Sequence, residues 1–220
     1  MIKCYMFDLD GTLLNTLESI RYNVNYTLQK YGIEPISNDE CRRFVGNGAK
    51  KLMERTLDLR GVLDSACRTE IYESFFKRYN ENPDYLVEPY EGIVALVDEL
   101  LESGATLAVV SNKPQRAAEV SVEKFFPSRF ASVCGGADGV PLKPDPTVAL
   151  SLLSRLGISP SECAYIGDSE VDMQTGKNMG AALTVGVSWG FRDVDVLVAS
   201  GADTVVDTPK MIKDAAERIC

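Results

Sequence analysis

From Tyr90 onward, short apolar runs of strand length alternate with longer runs of helical periodicity, and no other feature restricts the fold of this chain as much. Residues 105–110, 131–134, 163–166 and 182–187 read as strands. Residues 91–103, 114–124, 146–156, 170–179 and 209–219 read as helices, with Pro114 in a first turn where its missing N–H is harmless. The last helix follows an apolar Thr204-Val205-Val206. Strands that alternate with helices pair in parallel and carry helices on both faces. Between Leu17 and Tyr79 the rhythm is helical only: Ile20, Val24, Leu28 and Tyr31, then Leu52, Met53 and Leu57, then Ile71, Phe75, Phe76 and Tyr79. Asn80-Glu81-Asn82-Pro83-Asp84 has linker composition. The expectation is an α/β fold: a doubly wound, Rossmann-like parallel sheet from residues 1–14 and 86–220, with an all-helical cap, residues 15–85, inserted after the first strand. In open α/β sheets ligands bind beyond the carboxyl ends of the strands. An insertion rooted there would hang over the site as a lid.

The first strand, Ile2 to Phe7, ends abruptly in Asp8-Leu9-Asp10-Gly11. Residues i and i+2 of an extended chain point the same way, so the two carboxylates share a direction. Two desolvated carboxylates cost several kcal/mol per ion, as an order of magnitude, unless a cation or donors compensate. A hard divalent ion with oxygen ligands, Mg2+ above all, would offset that cost. An Asp-Gly turn with Asp10 capping it is the competing reading.

Histidine is absent, which excludes a Ser-His-Asp triad, a phosphohistidine and His-ligated zinc. A net charge of −9 leaves no global positive field to attract nucleic acid. Cys4, Cys41, Cys67, Cys134, Cys163 and Cys220 show no C-x-x-C pair, so they suggest neither zinc nor a redox dithiol and fit a reducing cytosol. No basic leader segment opens the chain, and no apolar run approaches the ~20 residues of a membrane span. A cytoplasmic protein without membrane or nucleic-acid partners is expected, as a monomer or homodimer.

The later strand ends carry polar groups too. Residues 106–110 run into Ser111-Asn112-Lys113, whose hydroxyl and amide suit a phosphate oxygen as well as a helix cap. Lys143 stands in Pro141-Leu142-Lys143-Pro144-Asp145-Pro146, where prolines stiffen the loop. Residues 164–166 run into Gly167-Asp168-Ser169, with Asp172 in the first turn of the next helix. Asp168 can be a metal ligand and Asp172 its support, or Asp172 can serve the helix terminus. Each item has an ordinary structural explanation. Together, four strand ends supply what binds a divalent cation beside a phosphoryl group.

Asp8-Leu9-Asp10-Gly11-Thr12, Ser111-Asn112-Lys113-Pro114, Lys143-Pro144-Asp145-Pro146 and Gly167-Asp168-Ser169-x-x-Asp172 resemble, in order, the four motifs of the haloacid dehalogenase-like hydrolases. The likeness covers essentially the whole chain. Val45-Gly46-Asn47-Gly48-Ala49, Leu52-Met53-Glu54-Arg55 and Gly135-Gly136-Ala137-Asp138 are similar to segments of the phosphoglycolate phosphatases, although Asn15 stands where relatives often carry an acid. The resemblance implies a Mg2+-dependent phosphatase. Asp8 would be the nucleophile that forms an aspartyl-phosphate, and Asp10 the acid and base. Thr12, Ser111, Asn112 and Lys143 would complete the catalytic set. Asp8, Asp10 (through its carbonyl), Asp168 and Asp172 would attend the metal. Gly46, Asn47, Gly48 and Lys50 would meet the substrate from the cap; one of Arg42, Arg43, Lys50, Lys51 and Arg55 could meet a substrate carboxylate, although each taken singly reads first as solvated surface charge. The expected partner is a small phosphorylated metabolite, 2-phosphoglycolate favoured. Pyrophosphate, a nucleotide or a sugar-phosphate mutase reaction are alternatives on the same chemistry, and a non-catalytic binding module is the alternative from another class.

Overall fold

The structure is a computed structural model that describes residues 1–219, so Cys220 lies outside the described residues. The elements follow in the order β1 (Cys4–Phe7), β2 (Leu14–Asn15), α1 (Leu17–Lys30), α2 (Asn38–Phe44), α3 (Ala49–Leu59), α4 (Ser65–Glu81), β3 (Glu88–Pro89) and α5 (Ile93–Glu102). Then come β4 (Thr106–Pro114), α6 (Gln115–Phe125), β5 (Ser132–Gly136), α7 (Thr147–Leu156), β6 (Cys163–Gly167), α8 (Glu170–Met179), β7 (Leu183–Val187), α9 (Val194–Ala199), β8 (Thr204–Val206) and α10 (Lys210–Glu217).

Six strands form one sheet in the order β5-β4-β1-β6-β7-β8, every neighbouring pair parallel. The strand order reverses between β1 and β6, and the crevice above such a reversal is where doubly wound sheets bind ligands. Period-2 alternation assigns each strand residue to one of two apolar layers. Tyr5, Phe7, Leu107, Val109, Ala164 and Ile166 pack with Ile93, Leu96 and Leu100 of α5 and Ile212 of α10. Cys4, Met6, Ala108, Val110 and Tyr165 pack with Leu152 and Leu153 of α7 and Met179 of α8. Both faces are therefore covered, as an all-parallel sheet requires.

Helices α1 to α4 share a third apolar cluster, in which Ile20, Val24, Cys41, Leu52, Met53, Ile71, Phe75 and Tyr79 meet Ala117 of α6 and Phe191. The two chain crossings between this helical unit and the sheet pair with each other as β2 and β3, antiparallel, Leu14 opposite Pro89 and Asn15 opposite Glu88. Two-residue strands carry no periodic signal and escape sequence reading.

Several expectations need correction. Strand β4 runs to Pro114 instead of ending at Val110, and α6 begins one residue later than expected, at Gln115. The polar Ser111, Asn112 and Lys113 look like loop but are all buried, at 6%, 6% and 4% exposure, because the helical unit roofs them. Neither Ser111 nor Asn112 caps α6, whose first residue follows Pro114 with no side-chain cap. The short helix α9 was not expected, since six residues are too few to establish a period.

Candidate active site

Strand β1 delivers Asp8 to the crevice, where its amide hydrogen bonds to the carbonyl of Ile166 continue the parallel ladder. The chain then folds back over Leu9, whose carbonyl accepts from the amides of Leu13 and Leu14 at 3.0 Å. Gly11 makes that turn possible. Its φ of +86° belongs to the left-handed region, and a Cβ there would lie 2.3 Å from Asp168 Oδ2. The turn brings Thr12 Oγ1 to donate to Asp168 Oδ1 at 3.0 Å. The amide of Phe191 donates to Asp168 Oδ2 at 2.8 Å.

Asp8, Asp168 and Asp172 bring carboxylate oxygens within 4.8 Å of one another. They are 8%, 1% and 0% exposed. Lys143 Nζ lies 2.8 Å from Asp8 Oδ1 and 2.6 Å from Asp172 Oδ1. Asp172 also ends α8's entry in a capping box, its Oδ2 accepting from the Ser169 amide at 3.0 Å and the Ser169 hydroxyl at 2.5 Å. Asp172 thus serves the helix terminus with one oxygen and pairs with Lys143 through the other.

Three carboxylates against one ammonium leave a formal surplus of two negative charges. Burial, then the charges of Asp172 and (against them) Lys143, sets Asp8 at about 6, above the usual carboxylate range. Burial and the neighbouring charges of Asp172 and Asp8 push Asp168 well up. Burial lowers Lys143, but Asp172 and Asp8 more than reverse this and hold it charged.

The Asn112 side chain is engaged at both ends. Its Oδ1 accepts from the Lys143 amide at 2.8 Å, and its Nδ2 donates to the carbonyls of Lys143 and Gly46, both at 3.1 Å. It bolts the lysine loop to β4 and reaches across to the helical unit. Ser111 Oγ accepts from the Lys113 amide at 3.3 Å.

Above these groups lies a cleft of about 580 Å³, including its open mouth, lined at its base by Asp8, Asp10, Ser111, Asn112, Asp168 and Ser169. Thr12, Lys143 and Asp172 are not in its lining. Gly46 and Gly48 line it from the helical side, whereas Asn47 and Lys50 do not, and Lys50 is exposed. None of Arg42, Arg43, Lys50, Lys51 and Arg55 lines the cleft. Arg42 donates to the Gly190 carbonyl, Arg55 to that of Phe44, and Lys51 pairs with Glu54. The cations that do line it are Lys113 and Arg192. Arg192 Nη1 and Nη2 donate to the carbonyls of Arg42 and Val45, and Nε to Glu170. Neither was singled out from sequence. The signal for Lys113 is its place directly after Ser111 and Asn112 at the end of a strand that leads to the cleft.

The donor set suits a hard divalent cation. All three clustered ligands are carboxylates, and Asp8 Oδ1 has no hydrogen bond among the described residues, only the ion-pair contact with Lys143. The backbone is shaped closely around the cluster: a Cβ on Gly190 would fall 2.2 Å from Asp168 Cβ and 2.6 Å from the Gly11 carbonyl oxygen. Gly190→Ala is therefore expected to cost about 1–3 kcal/mol. It should also weaken divalent-ion binding, measured by chemical denaturation and by titration calorimetry with Mg2+. An unchanged protein on both counts would mean the backbone yields freely there.

Comparisons with known proteins agree with this geometry. The family model described as haloacid dehalogenase-like hydrolase matches residues 5–185. The N-acetylmuramic acid 6-phosphate phosphatase of Pseudomonas aeruginosa is 32% identical over 219 residues, covering 99% of this chain and 96% of its own. The phosphoglycolate phosphatase of Agrobacterium fabrum is 32% identical over 204 residues, covering 92% and 87%. The crystal structure of a predicted phosphoglycolate phosphatase from Haemophilus somnus superposes with a TM-score of 0.91 at 26% identity, over 97% of each chain. These relatives and the site together make the protein a phosphatase. The chain belongs to the haloacid dehalogenase-like hydrolases, in their phosphoglycolate phosphatase-like subgroup.

Proposed function

We propose that the protein is a Mg2+-dependent phosphomonoesterase that hydrolyses a small phosphorylated metabolite through an aspartyl-phosphate on Asp8. The observation that carries this reading is the position of Asp8: at the base of the cleft, at the carboxyl end of the central strand, beside Asp168, Asp172 and the Lys143 ammonium. Mg2+, held by Asp8, Asp168 and the Asp10 carbonyl with Asp172 in support, would neutralise charge on the phosphoryl oxygens. An Asp8 oxygen forms a bond to phosphorus while the ester P–O bond breaks, and the Asp10 carboxyl gives its proton to the departing alkoxide. Asp10, now a carboxylate, takes a proton from water as that water attacks phosphorus and releases Asp8. Lys143 keeps Asp8 oriented and offsets the charge of the approaching phosphate. Residues 15–85 act as a cap and residues 1–14 with 86–220 as the catalytic core, so that substrate binds between them. No helix among the described residues is long and apolar enough to cross a membrane, and the five described cysteines are free, which fits a cytoplasmic enzyme.

The names of the relatives make 2-phosphoglycolate the first substrate to assay and N-acetylmuramic acid 6-phosphate the second. The test is phosphate release over a panel of metabolite phosphates that also holds pyrophosphate, nucleotides and sugar phosphates. Chelation should reduce turnover to background, and Mg2+ should restore it. Turnover that survives chelation would overturn the reading.

A further inference from the structure

Lys113 is the second buried ammonium of the cleft, and nothing in the proposed chemistry yet uses it. Its side chain has no solvent exposure. An unpaired ammonium is costly in such a place, and an apolar residue would fill the space without that cost. Lys113 Nζ donates to Asp10 Oδ1 at 2.8 Å and to the Tyr79 hydroxyl at 2.5 Å, and it lies 4.8 Å from the centre of the Tyr79 ring. Tyr79 belongs to α4, stacked on Phe75 at 5.5 Å between ring centres, inside the apolar cluster of the helical unit. Strand β4 thus presents a cation that grips a core carboxylate with one hydrogen and a cap hydroxyl with another. Asp10 does not join the Asp8, Asp168 and Asp172 cluster. With Oδ1 engaged by Lys113, its carboxylate has one fixed rotation, and its second oxygen remains for a leaving oxygen or water.

We infer that Lys113 is a positioning residue for Asp10 and that Tyr79 makes this positioning depend on the cap, so that Asp10 is held in its working orientation only while α4 covers the cleft. The inference rests on the reading of Asp10 as acid and base. It differs from a general structural role for Lys113 in a measurable way. Proton donation matters only when the leaving oxygen is a poor leaving group. p-Nitrophenolate departs without help, whereas phenolate and alkoxides need the proton.

The experiment measures kcat/KM, which reports the first phosphoryl transfer, for p-nitrophenyl phosphate and phenyl phosphate in the wild type, Lys113→Met and Tyr79→Phe. Tyr79→Phe keeps the ring and its packing and removes only the hydroxyl, so it provides a folded variant whatever Lys113→Met does. Lys113→Met should lose about 100-fold on phenyl phosphate and no more than about threefold on p-nitrophenyl phosphate, the scale of a lost general acid. Tyr79→Phe should lose about tenfold on phenyl phosphate alone, the scale of a hydrogen bond to a charged group. Equal losses on both substrates, or none on either, would overturn the inference and leave Lys113 as packing. If Asp8→Asn turned over normally, the underlying reading of the site would fail instead, whatever the Lys113 result.

Discussion

Asp8→Asn is expected to lower phosphate release by roughly 10⁴-fold or more while the protein stays folded. An amide has the volume of the carboxylate and none of its nucleophilicity, so no substitution of similar size should be as damaging. The accompanying stability change has a definite sign. Burial, then repulsion from Asp172, raises Asp8 to about 6 in the folded protein against an ordinary 3.8, with Lys143 only partly offsetting both. A carboxyl whose folded pKa lies above its unfolded value binds its proton more tightly when folded. Its ionised form therefore detracts from stability, fully so above about pH 6 and not at all below about pH 4. In chelator at pH 7.5, Asp8→Asn should melt no lower than the wild type. That advantage should fade as the pH falls from 6 towards 4. Saturating Mg2+ should reverse the order, because the wild type keeps a ligand the variant has lost. A variant that hydrolyses phosphoesters at the wild-type rate would remove Asp8 from the chemistry. One that melts well below the wild type in chelator would mean the carboxylate is structurally favourable.

The core of this arrangement could be read from the chain because it obeys period 2. Asp8 and Asp10 follow an apolar strand, Asp168 follows another, and an α/β alternation must bring such ends to one edge. Helix α8 was located residue for residue, since Ser169 and Asp172 form a capping box and Gly180 closes the helix. The misplaced end of β4 has a physical origin. Ser111, Asn112 and Lys113 are polar and buried, so the apolar run that marks the strand stops at Val110 while the strand itself continues. Their burial depends on partners that only the folded chain supplies: the Lys143 loop for Asn112, and Asp10 with Tyr79 for Lys113. The cap cations, open to a reading as surface charge or as contacts to a substrate carboxylate, find other partners. Arg42, Arg55 and Lys51 lie close in sequence to the cleft-lining Gly46 and Gly48, yet they serve carbonyls and a neighbouring carboxylate. Arg192, distant in sequence, reaches over instead and donates to carbonyls of the helical unit. Sequence proximity to a motif says little about which side a helical side chain takes, and that side is what places a residue in a cleft.

Lys143→Met is expected to produce the largest loss of stability, about 3–5 kcal/mol in the metal-free protein, because breaking a buried pair leaves its partners charged and dry. Among the described residues, Lys143 is the one cation ion-paired with Asp8 and Asp172, at 2.8 and 2.6 Å. Methionine fills nearly the same space, so the loss would measure charge and not a cavity. Since whole domains hold only about 5–15 kcal/mol, the variant should melt far below the wild type in chelator. Mg2+ should then raise its melting temperature more than it raises that of the wild type, since the cluster has lost its own counter-charge. Activity should nonetheless stay at least ~10³-fold down at saturating Mg2+, on the scale of a lost electrostatic stabiliser, because added Mg2+ does not restore the ammonium that orients Asp8. Adding Asp172→Asn to Lys143→Met separates repulsion from packing. The asparagine oxygen can keep accepting from Ser169 and Asp168 amides while its nitrogen takes the oxygen position that faced Lys143. If stranded charge is the cause, the double variant should be more stable than Lys143→Met alone, a non-additivity of the kind that contacting residues show. If the two losses simply add, the lysine holds its loop by shape, and the charge balance of the cluster is not what keeps this edge of the sheet together.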